Sequence, residues 1–412
     1  MFNKNKFIKI IFFLILSFAC LELFFRTYDF VTNKTIENVK NNISYFSNYK
    51  NHPFLVYTGR KNQSGYQIHL EPGKYFKTTT NSDGFRSREF YPRVDKNVLR
   101  VMLLGDSFVW GYNVDDQDTL GINLEKELSK KLNKNVEVYS LGVPSYSIIT
   151  YQGIARTYFD LLKPDIVIVA IDQNDFEDDQ LRKELFSTDN NGHPYHYTDY
   201  KKNNDLTKLD GNYRDLKSKI KLTSIVFEKL NFLRHKLFDP IKHKYEIYKF
   251  SSDYEIIKYK DLNKETKKNL YNFYSLHRDN ICCDLETSKK KYTVSFNSIK
   301  FIKNKADQIG AKLFLSTYPY AWYIDPDQSL EWQLKLYKGN YILDFRGNDV
   351  YPNLVNFYAD QLKIKNFNFY NYVKNNPGKY WGKYDPHFNK LGYRKYSEFL
   401  SDKIVGEIIN NN

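Results

Sequence analysis

Cysteine is scarce in this chain, with three residues of that type among 412. Cys282 and Cys283 are adjacent, and neighbouring cysteines rarely bridge each other without strain. The sequence therefore contains no disulfide framework. The third cysteine, Cys20, lies in the apolar segment near the amino terminus.

Metal-ligand spacing is missing as well. His193 and His196 stand three apart in a loop with glycine and proline, so neither a metal site nor a cofactor is expected. Arginine-rich stripes and recognisable nucleic-acid-binding modules are absent, so the formal charge of +14 does not indicate a nucleic-acid partner. The basic surplus instead favours contact with anionic lipids or acidic glycans.

The amino terminus combines positive charge with an apolar run. Lysines precede the apolar segment 10–21, and residues 7–25 span about 19 positions, just long enough to cross a bilayer as a helix. The lysines predict an inside amino terminus and export of the remainder. We therefore predict a single-pass anchor at residues 1–26, with the rest of the chain extracytoplasmic, in the periplasm or at the cell surface. A cleaved signal peptide, or a lipoprotein signal with Cys20 lipidated, is the alternative.

From Val98 onward, strand-like and helix-like segments alternate. The predicted strands are 98–104, 136–141, 165–171, 311–316 and 367–370, and the predicted helices are 119–132, 149–162, 294–309 and 391–409. This alternation predicts an α/β fold, in which helices cover both faces of a parallel sheet.

Two segments depart from that rhythm. Residues 27–96 begin as a polar stalk and continue as turn-rich, aromatic stretches that predict small β-hairpins. Residues 176–295 are rich in lysine, tyrosine and asparagine and contain helical-looking stretches. They predict a helical insertion, for which a lid over the site and a poorly ordered surface excursion both remain open.

The segment Val101–Phe108 is the most informative part of the sequence. Its apolar run ends at Gly105, which predicts a buried strand that delivers Ser107 to the carboxyl edge of the sheet, where ligands bind in open α/β folds. A serine hydroxyl needs an adjacent base to become a nucleophile. His387 is the candidate base, and Asp385, two positions earlier, is the candidate acid that orients it.

Two further strand ends complete the pattern. Gly142 ends the second predicted strand, and Asn174 follows the third. Serine, glycine, asparagine and an Asp/His pair in this order resemble the SGNH (GDSL-type) family of esterases and acyltransferases, over residues 97–175 and 300–408. The resemblance implies a three-layer α/β/α flavodoxin-like fold. It also implies five parallel strands in the order 2-1-3-4-5 and a catalytic domain at 97–412 that carries the insertion.

The resemblance also implies roles for single residues. The backbone N–H groups of Ser107 and Gly142 and the side-chain amide of Asn174 would form an oxyanion hole. The acid stands one residue closer to the histidine than in the commonest family pattern, as in branches that include polysaccharide O-acetyltransferases. The α/β-hydrolase superfamily carries Gly-x-Ser-x-Gly and has its acid and histidine far apart in sequence. This chain lacks that serine motif and has the two residues close together, which argues against that superfamily. The motif Asn81–Arg86 accompanies the serine motif in exported SGNH proteins and has no assigned chemistry.

These motifs predict a serine esterase or O-acyltransferase that uses Ser107, His387 and Asp385. The predicted partner is an acyl ester, with acetyl on a cell-envelope polysaccharide as the candidate. That substrate rests on the predicted location, the 17% aromatic content and Trp110 just after the nucleophile. Trp322, Trp332 and Trp381 are assigned to the same side of the sheet. A non-catalytic glycan- or lipid-binding assembly protein and a lipase or thioesterase are the alternatives.

Overall fold

A computed structural model describes most of the chain, namely residues 50–68, 75–198, 255–263, 284–325, 341–382 and 385–410, with the further positions 13, 16, 17, 20, 43, 44, 265–267, 328, 337 and 338. The predicted anchor at 1–26, most of the stalk and much of the insertion lie outside these residues. Within them, no helix has the length and apolar character needed to cross a membrane.

The described secondary structure comprises seventeen strands and ten helices. The strands are β1 (Ile43–Ser44), β2 (Lys50–His52), β3 (Val56–Thr58), β4 (Ser64–Ile68), β5 (Tyr75–Thr79), β6 (Leu99–Gly105), β7 (Val136–Gly142), β8 (Ile166–Ile171), β9 (Phe186–Thr188), β10 (Pro194–Tyr197), β11 (Glu255–Lys258), β12 (Lys312–Thr317), β13 (Tyr337–Lys338), β14 (Tyr341–Asp344), β15 (Lys365–Asn368), β16 (Trp381–Gly382) and β17 (Asp385–Phe388). The helices are α1 (Ser107–Trp110), α2 (Leu120–Leu132), α3 (Ile148–Leu162), α4 (Asp175–Arg182), α5 (Leu285–Lys291), α6 (Thr293–Gln308), α7 (Ala321–Ile324), α8 (Val350–Leu362), α9 (Phe369–Asn375) and α10 (Lys390–Ile409).

A five-stranded parallel sheet forms the centre of the molecule, with spatial order β7-β6-β8-β12-β15. Counted along the chain, that order is 2-1-3-4-5. Every residue of β6 and of β8 is buried, as expected for strands that are covered on both faces. The register pairs Gly105 with Gly142, so β6 and β7 end side by side at the carboxyl edge.

Helices cover both faces of this sheet. Helix α2 contacts α10, and α3 contacts α6. The connection from β6 to β7 runs in the opposite direction along the sheet to that from β7 to β8, so right-handed crossovers place α2 and α3 on opposite faces. The architecture is therefore three-layered, α/β/α, and the predicted helices between strands are confirmed to within one or two residues.

Two antiparallel hairpins, β2–β3 and β4–β5, confirm the β-hairpins predicted before the sheet. The fifth central strand differs from its prediction. It spans Lys365–Asn368 rather than 367–370, because the Asn368 side chain accepts a hydrogen bond from the Asn371 N–H and starts α9 at Phe369.

The insertion differs more from its prediction. The part of it that the structure describes is not only helical, since β9 and β10 form a hairpin and β11 pairs in parallel with β14. The hairpin turn contains Asn191 and Gly192, and the Asp189 side chain accepts from the N–H groups of Asn191 and His193. Local turn chemistry therefore produces strands where the polar composition suggested helix.

Candidate active site

Ser107 lies at a sharp strand-to-helix turn. Strand β6 ends at Gly105, and Ser107 is the first residue of α1. Asp106 caps this helix, since its side chain accepts from the Phe108 N–H at 2.9 Å. A Cβ atom at Gly105 would lie 2.3 Å from Val109, so glycine is required for α1 to pack this closely against the strand. The turn therefore presents the Ser107 hydroxyl beyond the carboxyl edge of the sheet.

The histidine meets the serine directly. His387 Nε2 lies 2.7 Å from Ser107 Oγ, although the two residues are 280 positions apart in the chain. His387 Nδ1 lies 2.5 Å from Asp385 Oδ1, which also accepts from the His387 backbone N–H at 2.7 Å. With Nδ1–H donated to the carboxylate, Nε2 is the acceptor for the serine proton.

The spacing of the acid and the histidine follows from strand geometry. Asp385 and His387 both lie on β17, and side chains two apart on a strand point to the same face. The Asp385 side chain is fully buried, whereas the His387 side chain keeps 14% exposure. The short Asp-x-His spacing is therefore compatible with an oriented imidazole, and the base remains accessible from the site.

Two aromatic rings flank the imidazole. The Phe108 ring centroid lies 4.7 Å from that of His387, and the Tyr112 centroid lies 5.0 Å away. Burial raises the pKa of Tyr112 above its usual value, and the nearby Asp385 raises it further. Tyr112 is therefore a neutral phenol at any physiological pH, and the two rings restrict the orientations that the imidazole can adopt.

The predicted oxyanion donors lie at the ends of adjacent strands. Gly142 ends β7 beside the nucleophile turn, where a Cβ atom would lie 2.6 Å from Val109 and 2.8 Å from the Asp106 carbonyl oxygen. The N–H of Ser107 has no acceptor within α1, because it belongs to the first helical residue. Asn174 follows β8, the other neighbour of β6, and precedes α4. Its buried Oδ1 has no hydrogen-bond partner in the described part of the chain.

Three buried carboxyl groups, which the sequence did not single out, lie beneath the site: Asp106, Asp172 and Asp175. Tyr318 donates to Asp106 Oδ1 at 3.1 Å, and Tyr151 donates to Asp175 Oδ2 at 3.0 Å. Burial raises the pKa of Asp172 and of Asp175 well above the usual value, and the charge of Asp106 adds to both shifts. Both groups therefore favour the protonated form.

Trp110 is not placed to bind substrate, and that prediction is wrong. Its side chain is 2% exposed, packs against Gly59 and directs its indole N–H toward Gln67. Trp322 and Trp381 are likewise buried, and Trp332 lies outside the described residues. Trp110, Trp322 and Trp381 belong to the core, where large aromatic side chains contribute most to packing.

The predicted absence of a metal site concerned the remaining histidines. The His193 ring packs against Phe301, and the His196 ring packs against Phe54. Among the residues that the structure describes, no three or more histidine, cysteine, aspartate or glutamate side chains form a group suited to a metal ion.

No protein-family model and no curated protein matches this chain. Solved structures do. A lipase/acylhydrolase from Enterococcus faecalis is 10% identical with a TM-score of 0.36, over 75% of this chain and 96% of that one. A GDSL-like lipase from Bacteroides thetaiotaomicron is 11% identical with a TM-score of 0.32, over 77% and 91%. An acetyl xylan esterase is 12% identical with a TM-score of 0.34, over 74% and 100%. The chain is thus similar to solved GDSL-type hydrolases, and the likeness is distant.

Proposed function

We propose that this protein is a serine ester hydrolase or O-acyltransferase of the SGNH type. The observation that carries the proposal is the contact chain from Ser107 Oγ to His387 Nε2 at 2.7 Å and from His387 Nδ1 to Asp385 Oδ1 at 2.5 Å. A nucleophile, a base and an orienting acid in hydrogen-bond contact are the arrangement that acyl transfer requires.

The proposed reaction has two steps. Ser107 Oγ attacks the acyl carbonyl carbon while His387 Nε2 takes the hydroxyl proton, and the N–H groups of Ser107 and Gly142 with the Asn174 amide stabilise the oxyanion. The C–O bond to the alcohol then breaks, and His387 returns the proton to the leaving oxygen. Water or a sugar hydroxyl next attacks the acyl carbon of the acyl-serine ester while His387 Nε2 accepts its proton. The bond from the acyl carbon to Ser107 Oγ then breaks, and His387 returns the proton to Oγ.

We propose acetyl esters of a cell-envelope polysaccharide as the substrate and a single-pass membrane anchor at residues 1–26 with the catalytic domain extracytoplasmic. The apolar segment after the amino-terminal lysines supports the location, and the location supports the substrate class. The test adds external protease to intact cells and to cells whose outer membrane, where one exists, has been removed: the protein should remain with membranes until treatment and lose its catalytic domain in at least one of the two. Protection of the whole chain would contradict the proposed orientation.

The activity is tested with the full-length protein on p-nitrophenyl acetate and on longer-chain esters. Ser107→Ala and His387→Ala should each lower kcat by at least about a thousandfold. Ser187→Ala, on the exposed side of β9, is the matched control and should leave kcat unchanged. Turnover retained in both site variants would contradict the proposal.

The same assay separates the alternatives. Preference for short chains supports acetyl chemistry, and preference for long chains indicates a lipase or thioesterase. Acetyl transfer to added oligosaccharide identifies a transferase. A folded wild-type protein that shows no turnover and whose Ser107 does not react with a fluorophosphonate would indicate a non-catalytic binding protein.

A further inference from the structure

Arg86 is the last residue of the Asn81–Arg86 motif, and every N–H group of its guanidinium donates a hydrogen bond. Its side chain is 2% exposed. Its acceptors are Asp116 Oδ1 at 2.7 Å, the carbonyl oxygens of Trp110 at 3.2 Å and Gly111 at 2.6 Å, and those of Lys77 at 2.5 Å and Val114 at 2.7 Å. A buried guanidinium fork with every donor used fixes the relative positions of all the segments that it bonds.

The rest of the motif builds the loop that delivers this side chain. The Asn81 side chain accepts from the N–H groups of Asp83 at 3.1 Å and Phe85 at 2.9 Å. Gly84 has a φ of +88°, and a Cβ atom there would lie 2.2 Å from the Gly59 carbonyl oxygen. The loop is therefore rigid, and Arg86 leaves it in a defined direction.

Two of the carbonyl groups that Arg86 binds close the helix that carries the nucleophile. Helix α1 is only four residues long, so its first residue, Ser107, and its last, Trp110, belong to one turn. Carbonyl groups at the end of a helix lack intrahelical donors, and Arg86 supplies them at Trp110 and Gly111. A displacement of this end therefore moves Ser107 Oγ and the Ser107 N–H together.

A second residue of the region before the central sheet, Tyr57, contacts the segment that follows Gly142. The Tyr57 hydroxyl donates to the Pro144 carbonyl oxygen at 2.7 Å, and the Tyr146 hydroxyl donates to the Tyr57 carbonyl oxygen. Pro144 and Tyr146 lie in the segment that follows Gly142 in the chain. Arg86 and Tyr57 thus hold, independently of each other, the two backbone segments that carry Ser107 and Gly142.

We propose that Arg86 is the positioning residue for Ser107 and Tyr57 the positioning residue for Gly142, each acting through the backbone segment that it binds. The inference rests on the proposed function, because it concerns the geometry of the same acyl-transfer site. It predicts that changes at Arg86 and Tyr57 affect the chemical step rather than substrate binding.

Arg93, which also lies before the central sheet, offers a matched control for Arg86. It donates to Asp165 Oδ1 at 2.7 Å and to the carbonyl oxygens of Lys163 at 3.0 Å and Val98 at 2.9 Å. These acceptors lie at the amino-terminal edge of the sheet, opposite to Ser107. Arg93→Lys therefore removes a comparable arginine network without touching the site.

The experiment compares Arg86→Lys, Tyr57→Phe and Arg93→Lys in the full-length protein. Kinetics on p-nitrophenyl acetate, the rate of Ser107 labelling by a fluorophosphonate and thermal unfolding are measured at a temperature where all are folded. Arg86→Lys should lower kcat and the labelling rate by about 10- to 100-fold with KM within about threefold, since small misplacements of reacting groups cost this much. Tyr57→Phe should lower kcat by about fivefold, equivalent to one hydrogen bond. Arg93→Lys should lower the Tm and leave kcat within about twofold.

Several results would overturn the inference. A folded Arg86→Lys protein with wild-type kcat and labelling rate contradicts it, and so does an equal loss of kcat in Arg93→Lys. If Arg86→Lys fails to fold, Tyr57→Phe decides, and an unchanged kcat there rejects the proposal. Absence of turnover and labelling in the wild-type protein contradicts the proposed function itself and this inference with it, whereas an active wild type isolates a failure of the inference.

Discussion

The carboxyl groups at the two edges of the central sheet have different partners. At the amino-terminal edge, Arg93 pairs with Asp165 at 2.7 Å, and Arg100 pairs with Glu137 at 2.8 Å. At the carboxyl edge, Asp175 accepts from the Tyr151 hydroxyl and the Asp172 N–H, Asp172 accepts from the Gln173 N–H, and burial raises the pKa of both carboxyls.

We infer from this difference that the amino-terminal edge contributes to the stability of the fold and the carboxyl edge to the reaction. Ion pairs at the amino-terminal edge hold strands in register and leave no reactive group exposed. At the carboxyl edge, burial favours the protonated form of Asp172 and Asp175, and the charge of Asp106, next to Ser107 in the chain, adds to this effect. Changes at the carboxyl edge should therefore alter kcat, and changes at the amino-terminal edge should alter the free energy of unfolding.

The largest effect is expected at the acid of the carboxyl edge. Asp385→Asn should lower kcat by about 10³- to 10⁴-fold with little change in Tm, because an amide cannot stabilise the imidazolium or hold the required tautomer. Steady-state kinetics and thermal unfolding measure the two quantities. A variant that keeps kcat within tenfold of the wild type would show that Asp385 does not orient His387.

The next effect is expected at Asn174. Asn174→Ala should lower kcat by about 10²- to 10³-fold, the usual loss for one oxyanion donor, with a small change in KM. Asn191→Ala, in the exposed β9–β10 turn, is the control and should leave kcat unchanged. An equal kcat for the two variants would remove Asn174 from the oxyanion hole.

The third prediction concerns pH. Burial raises the pKa of Asp179 to about 6, although the Ile149 N–H and the Ser295 hydroxyl donate to it. Its contribution to stability is present below the unfolded pKa of 3.8 and is lost as pH rises through 6, because the folded state binds the proton more tightly. From pH 4 to pH 8, the wild type should therefore lose about 2 kcal/mol relative to Asp179→Asn.

Urea unfolding of both proteins at several pH values checks this prediction. Other titrating groups are common to the two proteins, so their contributions cancel in the difference. A difference in the free energy of unfolding that stays constant from pH 4 to pH 8 would show that Asp179 is ionised throughout this range in the folded protein.

The smallest effect is expected at the amino-terminal edge. Asp165 accepts from Arg93 and, through Oδ2, from the Arg100 backbone N–H at 2.8 Å. Asp165→Asn should lower the free energy of unfolding by about 1 kcal/mol, because one charged acceptor is replaced by a neutral amide. Its kcat should match that of the wild type at a temperature where both are folded. A fall in kcat would erase the proposed distinction between the edges.

The sequence predicts those features that depend on local pattern. The apolar runs of β6 and β8 predict buried strands, and Gly105 at the end of β6 predicts the turn that brings Ser107 to the carboxyl edge. The order of motifs along the chain predicts which residues meet there. His387 was accessible to this reasoning because imidazole chemistry is rare in this chain, with eight histidines in all.

Features that depend on backbone groups distant in the chain could not be predicted from the sequence. The acceptors of Arg86 are mostly carbonyl oxygens, which every residue carries, so no residue type marks them. The proximity of Asp106 to Asp172 requires β6 and β8 to be neighbours, which the family resemblance implied and neither local sequence shows by itself. The substrate-binding prediction for Trp110 was wrong because its position near Ser107 in the chain does not determine the direction of its side chain.

The placement of the acid and the base on one short strand has a further consequence. Asp385 and His387 share the face of β17, whose end is joined to α10 by the Asn389 cap. β17 pairs antiparallel with β16, and slippage of this β16–β17 hairpin by a single position would turn both side chains away simultaneously. Proton transfer at this centre would then disappear as one cooperative event, so partial loosening of the hairpin should yield a mixture of fully competent and wholly silent molecules.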